Sequence, residues 1–302
     1  MKQSGAAVVM AILIVALAAM LAASLASQQN IWIRRLENQQ DHADAKWLAS
    51  AGTDFAAAIL NDDARHSAVD YPGEAWTAPM PPMQVGKSEI SGYILDQQGL
   101  FNLNDLAPSG ATDPVQLANF RRLLAFLQLD PDLAQAAADW IDADNSAQNP
   151  GGAENSYYLG LPDPYRAANM PLVSLDDLLM VKGFDQPTID RLKPYVTALP
   201  ANTQINVNTA PPEVLAAILP GFSLSAAREL ASKRMYHPFQ SLSDFTASIG
   251  NENIPVPANN IEFASQYFLV TVKSVQGRAR VTMRTLLYRN GSMWPRKVWQ
   301  QS

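Results

Sequence analysis

The sequence predicts an α+β protein: a long amino-terminal helix packed on a small antiparallel sheet, with a large all-α domain inserted between strands. Three observations predict it. An apolar run over residues 6–23 passes without a proline into an amphipathic stretch that reaches Leu60. Strand-like alternation occurs at about 88–103 and again at 264–290. Between them, 104–260 is rich in Ala and Leu at helical spacing.

The chain opens Met1-Lys2-Gln3-Ser4-Gly5, and the apolar run fades through Ser24 to Ser27. About 20 residues at 1.5 Å per residue match the ~30 Å bilayer core. The run holds no charge and no helix breaker. A glycine stands between leader and apolar core, with Lys2 shortly before it. This order resembles the type III signal of prepilin-like proteins. There a prepilin peptidase cuts after the glycine, here Gly5, on the cytoplasmic face. The helix stays on a mature chain that begins at Ala6. Two other readings stand beside it: an ordinary secretory signal cut at the small-x-small site Ser24-Leu25-Ala26, and a plain anchor. Charge does not orient the segment, because Arg34 and Arg35 oppose Lys2 and the amino terminus.

From Gln28 to Leu60 the chain has no proline, and its one glycine is Gly52. Trp47, Ala51, Phe55, Ala58 and Ile59 share one helical face, with Asp44, Lys46, Ser50 and Asp54 between them. That apolar face is expected to pack on the domain. A single helix over 6–60 would be roughly 80 Å long; the competing reading breaks it near 27–30. Residues 61–87 carry Pro72, Pro79, Pro81 and Pro82 with Gly73 and Gly86, and read as loop. A hairpin is expected next. Ile90, Tyr93, Ile94 and Leu95 lead into Asp96-Gln97-Gln98-Gly99, then Leu100-Phe101-Asn102-Leu103.

Helical pieces follow. Leu117, Phe120, Leu123, Leu124 and Leu127 form one, and Leu133, Ala136, Ala137 and Trp140 another. Later ones lie at 175–182, 188–195, 212–219, 225–235 and 242–249. A second hairpin follows, with Phe268, Val270 and Val272 alternating, a Gln276-Gly277 turn, then Val281, Met283, Thr285 and Leu287. Residues 291–302, aromatic and basic, read as a solvated tail. The expected organisation is leader 1–5, membrane or fibre-core helix 6–27, an αβ domain from 28–103 and 261–290, and the insertion 104–260. A short echo links two places. Phe101-Asn102-Leu103-Asn104 recurs as Ile205-Asn206-Val207-Asn208, each running into a helix start.

Among the 302 residues, 48% are hydrophobic, normal for a globular core with one anchor. There is no Cys, so no disulfide contributes. His42, His66 and His237 are too far apart for a zinc signature. A net charge of −6 does not steer the chain toward nucleic acid.

One stretch carries a chemical signal. No Lys or Arg lies between Arg122 and Arg166, while Asp130, Asp132, Asp139, Asp142, Asp144, Glu154 and Asp163 do. Carboxylates this dense repel unless a cation sits among them. Calcium wants six to eight oxygens on a flexible loop. Asp142, Asp144 and Ser146 have the one-three-five spacing of an EF-hand loop, but Ala147 and Ala153 stand where it needs Gly and Glu. A calcium loop of another kind is expected. Asp142, Asp144, Glu154 and Asn155 are its ligands, with Asp139 and Asp163 as further members; the alternative is a solvated acidic loop. A glycosidase-like use of two of these acids lacks any sugar cleft. No nucleophile elbow or phosphate loop occurs, and the chain is not read as an enzyme. Residues 205–245 resemble a helix-hairpin-helix of the DNA-uptake type, but Pro220-Gly221-Phe222-Ser223 lacks the second glycine that grips a phosphate. A DNA-binding or DNA-uptake pilin is the alternative function.

Taken together, the leader with Gly5, the run from Asp139 to Glu154 with Tyr157, Pro164-Tyr165 and Asn169-Met170-Pro171-Leu172, and Asn206-Val207-Asn208-Thr209-Ala210 resemble the K-type minor pseudopilins of type II secretion systems. The resemblance spans almost the whole chain. It implies a pilin-like αβ domain and a calcium site in the helical insertion. It also implies assembly with I-type and J-type minor pseudopilins, and with further pseudopilins, at the pseudopilus tip. The helix would cross the inner membrane, with the folded part in the periplasm. The subunit would help initiate assembly and export folded proteins across the outer membrane. Major pilins carry Glu at mature position five to neutralise a neighbour's amine, a costly charge to leave unpaired in lipid. Here that position is Met10; the K-type family likewise lacks the Glu, which suits a subunit with no neighbour above it. Ala6, where major pilins usually have Phe, leaves methylation of the new amino terminus open.

Overall fold

The computed structural model describes residues 4–250 and 254–302. The leader residues Met1, Lys2 and Gln3 lie outside them. In chain order the elements are α1 (Ser4–His66), β1 (Met80–Val85), β2 (Ser88–Asp96) and β3 (Phe101–Asn102). Next come α2 (Pro114–Phe126), α3 (Leu133–Ile141), α4 (Asn155–Tyr158), α5 (Gln186–Leu192) and β4 (Val196–Thr197). The last group is β5 (Ile205–Asn206), α6 (Pro212–Ile218), α7 (Leu224–Lys233), α8 (Leu242–Ile249), β6 (Ile261–Glu262), β7 (Tyr267–Gln276), β8 (Ala279–Tyr288) and β9 (Arg296–Gln301).

α1 is one unbroken helix of 63 residues, about 95 Å long. The break considered near 27–30 is absent. Its apolar first part is exposed along its length. Its last part lies on the sheet through small residues: Ala45, Ala49, Gly52, Thr53, Ala56 and Ala57 are buried there. Close approach demands them. A Cβ on Gly52 would meet Ile90 at 2.8 Å and Val272 at 2.9 Å. The face expected to pack on the domain therefore does so only at its end, where Ile59 is partly buried against the core. Trp47 is 78% exposed and Phe55 59% exposed. Large side chains drew the sequence reading, but the sheet takes the face that lets backbones approach.

The sheet has five strands in the order β1-β2-β7-β8-β9, all neighbours antiparallel. The expected hairpin at 264–290 is β7–β8, turning at Gly277 with φ +53. Its inner face is the alternating set Phe268, Val270, Val272, Val281, Met283 and Leu287 against α1. Three expectations change. Residues 61–87 are not all loop, because β1 forms there as an edge strand, where Pro81 and Pro82 cost no ladder bond. The turn at Asp96–Gly99 does not close a hairpin: β2 pairs with β7, and β3 pairs in parallel with β4. Residues 291–302 are not a solvated tail, since β9 adds the fifth strand beside β8.

The helical insertion leaves from the end of β2 and returns into β7, which are paired neighbours. Because β3 belongs to it, it begins before the expected residue 104. The sequence echo is a structural one. Asn102 accepts from the Asn104 amide and Asn206 from the Asn208 amide. Asn104 pairs both ways with the Leu172 backbone, and Asn208 does the same with Phe239. Each copy sits on a short parallel pair, β3–β4 or β5–β6. Buried amides thus hold loops that no ladder reaches. A single apolar core, with Phe101, Phe120, Leu124, Ile141, Tyr158 and Leu215, runs through both halves.

Where the insertion meets the sheet, Asp96 accepts from the Gln98 amide (2.7 Å), Thr209 Oγ1 (2.5 Å), Ser265 Oγ (2.6 Å) and Asn206 Nδ2 (3.2 Å). Beside it, Arg289 reaches Asp70 at 2.5 Å and Asp63 at 3.0 Å, and donates to Leu60 O in the last part of α1.

Candidate metal centre

α3 is Ala-rich and buried at every position. It delivers Asp139 on its last turn and stops at Asp142, whose extended backbone starts the acidic loop. The loop runs to Glu154, which precedes α4. Carboxylate oxygens of Asp142, Asp144 and Glu154 come within 4.8 Å of one another. Asp142 is 3% exposed and Glu154 1%. Asp144 is on the open side.

Burying such groups without partners is costly. Yet Asp142 Oδ1 and both oxygens of Glu154 have no hydrogen-bond partner. Asp142 Oδ2 accepts from Thr112 Oγ1 at 3.0 Å. Burial, then the charges of Asp142 and Asp139, push Glu154 up to about 7. Burial raises Asp142 too, with Asp144 and Asp139 adding to it. Among the described residues no ion pair touches these acids. Lys182 comes near, but its Nζ donates to Gly152 O (3.2 Å) and lies over the Tyr157 ring. An oxygen-only, flexible, anionic donor set fits a hard cation such as calcium.

The other sequence candidates are sorted by their partners. Asp139 is buried, accepting from Gln135 Nε2 (2.9 Å) and the Gln148 amide (3.0 Å), so it braces the loop instead of facing the three converging acids. Gly152 is required beside it, since a Cβ would sit 2.2 Å from Asp139 Oδ2. The Asn155 carbonyl oxygen accepts from the Ala167 amide at 3.0 Å and is occupied. Asp163 is exposed and outside the convergent group. Two residues escaped the sequence reading. Thr112 orients Asp142 from a loop that is remote in sequence. Asn169, at φ +48, donates to the Asp144 carbonyl and holds a buried, unpartnered Oδ1. Its place in Asn169-Met170-Pro171-Leu172 was the available signal.

A second acidic group, Asp63, Asp70 and Glu74, needs no metal. Arg289 binds the two aspartates, and Glu74 accepts from Trp76 Nε1 at 2.8 Å. The helix-hairpin-helix segment keeps its cations occupied. Arg234 donates to Val207 O and Ala210 O, Arg228 lies 3.7 Å from Glu213, and Lys233 lies 2.8 Å from Glu229.

Family models described as type II secretion system (T2SS), protein K, match residues 99–201 and 205–263. These are the two halves that begin beside the paired-asparagine motifs. Type II secretion system protein K of Pseudomonas aeruginosa is 34% identical, over 94% of this chain and 88% of that protein. The Klebsiella pneumoniae protein of the same name is 32% identical, over 96% and 94%. A solved chain in the crystal structure of the GspK-GspI-GspJ complex of the enterotoxigenic Escherichia coli type 2 secretion system matches with a TM-score of 0.78 and 26% identity. That match covers 88% of this chain and 98% of the other. Sequence, fold and the two-part insertion agree, and the chain belongs to the type II secretion system protein K family.

Proposed function

We propose that this protein is the minor pseudopilin that caps a type II secretion pseudopilus, anchored by α1 in the inner membrane with its folded part in the periplasm. It assembles with I-type and J-type minor pseudopilins, the partners of its structural neighbour. The observation that carries this is the second apolar face of α1. Leu36, Ala43, Trp47, Ala51 and Phe55 recur at spacings of seven or four and are exposed. A helix that already packs on a sheet through its small residues offers this seam to another helix. Met10 replaces an acid that an internal subunit would use, which suits a cap. The role is mechanical, with no reaction assigned to it. Co-purification of the full chain with I- and J-type partners tests the reading. Trp47→Ala with Phe55→Ala is expected to weaken that complex at least tenfold, since buried aromatic anchors each contribute about 2 kcal/mol or more. An unchanged complex would place the interface elsewhere.

Processing follows from Gly5 and Ala6. Amino-terminal sequencing of the membrane-extracted protein is expected to begin at Ala6, and Gly5→Leu to leave the full-length form. A start at Ser27 would overturn this. Calcium is assigned to Asp142, Asp144 and Glu154, with Asn169 as a neutral donor, on the strength of their unpartnered buried oxygens. There the ion would neutralise the loop and fix the insertion's shape for docking.

A further inference from the structure

The acidic chain has a basic end, on the side of the sheet from which the apolar part of α1 emerges. Both hairpin tips of the sheet, Gly86-Lys87 and Gly277-Arg278, point toward the amino-terminal side of α1. The register places Ser88 beside Gln276. Gln276 donates to Asp44 at 2.9 Å, and Gly277 lies against Asp41. Lys87, Lys273, Arg278 and Arg280 are exposed at or near these tips. Among the described residues none of them makes an ion pair. Arg34 and Arg35 stand on α1 below them. The acids at this level, Asp41 and Asp44, lie between helix and hairpin; Glu37 and Glu89 are the others.

We infer that these tips form a cationic foot that rests on the anionic lipid headgroups of the membrane α1 crosses. This rests on the membrane reading above. The helix sets the height. From Ser27 to Asp41 it rises about 21 Å. The headgroup layer fills about 5–7 Å of that. Tilts of about 20° are ordinary for membrane helices, and a tilt toward the sheet lowers the tips further. Long basic side chains then come within about the 8 Å screening length of a negatively charged leaflet. The attraction would hold the lone subunit leaning to its sheet side, leaving the Trp47–Phe55 seam turned outward for partners.

Because the chain has no Cys, one engineered cysteine labels it cleanly. Thr282, exposed on β8 above the tips, is the site. The full chain carrying Thr282→Cys with a donor dye is placed in vesicles of phosphatidylcholine alone or mixed with phosphatidylglycerol, with an acceptor on the lipid headgroups. Energy transfer is expected to be higher in the anionic vesicles. The gain should vanish in high salt and in Lys87→Ser/Arg278→Ser/Arg280→Ser. Equal transfer in both vesicles, or a gain untouched by the triple variant, would overturn the inference. Flotation with both vesicles checks the anchor separately, and a chain that floats with neither loses the membrane reading as well.

Discussion

Calcium is expected to raise the melting temperature of the chelator-treated protein by roughly 5–10 °C at a concentration about a hundred times its dissociation constant. The cause is local. Without a cation, Asp142, Asp144 and Glu154 hold like charges within 4.8 Å, and three carboxylate oxygens stay buried without a donor. Each like-charge pair costs about 1 kcal/mol at such distances even in water, and more where solvent is excluded. Magnesium should substitute poorly because it demands a tighter octahedral shell. Glu154→Gln with Asp142→Asn keeps the shapes and removes the charges. That variant should ignore calcium and, in chelator, melt above the parent. The pH dependence has a definite sign. Glu154, pushed up to about 7, sits above its ordinary value near 4.3. It opposes folding of the ion-free form above neutrality, and that cost fades as pH falls through about 7. The ion-free melting temperature should therefore rise from about pH 8 to about pH 6, and the calcium increment should shrink as protons compete. Identical melting curves with calcium and with chelator would return these acids to a solvated loop.

Arg289→Met is expected to be the most damaging single substitution in the αβ domain. It would leave Asp70, 1% exposed, and the half-buried Asp63 without their cation. It would also strip a donor from Leu60 O and Ser265 O. Breaking a buried pair from one side costs about 3–5 kcal/mol, a fall of about 10 °C in melting temperature. Burial, with Glu74 and Asp70 nearby, already pushes Asp63 up to about 7 despite the guanidinium. The deficit should thus be largest above neutral pH and shrink on acidification. Adding Asp70→Asn and Asp63→Asn should recover part of it. A deficit independent of both pH and these additions would mean that the loss is packing over Phe268, where the guanidinium lies 4.6 Å from the ring centre.

Much of this architecture was legible because it depends on period. The apolar run, the β7–β8 alternation and the helical spacing of the insertion each repeat along the chain. What period cannot show is which of two apolar faces a sheet selects. On α1 the bulky face looked like the core, and Ala45, Ala49 and Gly52 proved to be it, because close packing is decided by what is small. Strand β1 was hidden by prolines that an edge tolerates, and β9 by its place at the terminus. In the candidate metal centre, the gathering of Asp142, Asp144 and Glu154 was readable from charge without counter-charge. The same argument draws in Asp139, and sequence does not reveal that Gln135 and the Gln148 amide already hold its carboxylate. Thr112 was not readable, as a contact distant along the chain brings it in, and Asn169 was signalled only by its place in a motif, not by its role.

The insertion hangs from two adjacent strands, with Asp96 opposite Phe268, and this bears on the order of folding. A direct hairpin of β2 and β7 would close over a few residues. Here the closure spans about 170, roughly five doublings more, at about 0.6 kcal/mol each. An unfolded insertion thus works against zipping the sheet by about 3 kcal/mol. A folded one holds its own two ends one strand apart, with Gln98 donating to Gln204 O and accepting from the Gln266 amide, and removes that entropic cost. Hydrogen-exchange pulse labelling during refolding should find the Phe120–Leu215 core protected before β7. The domain that looks like an addition to the sheet would then be the template on which the sheet closes.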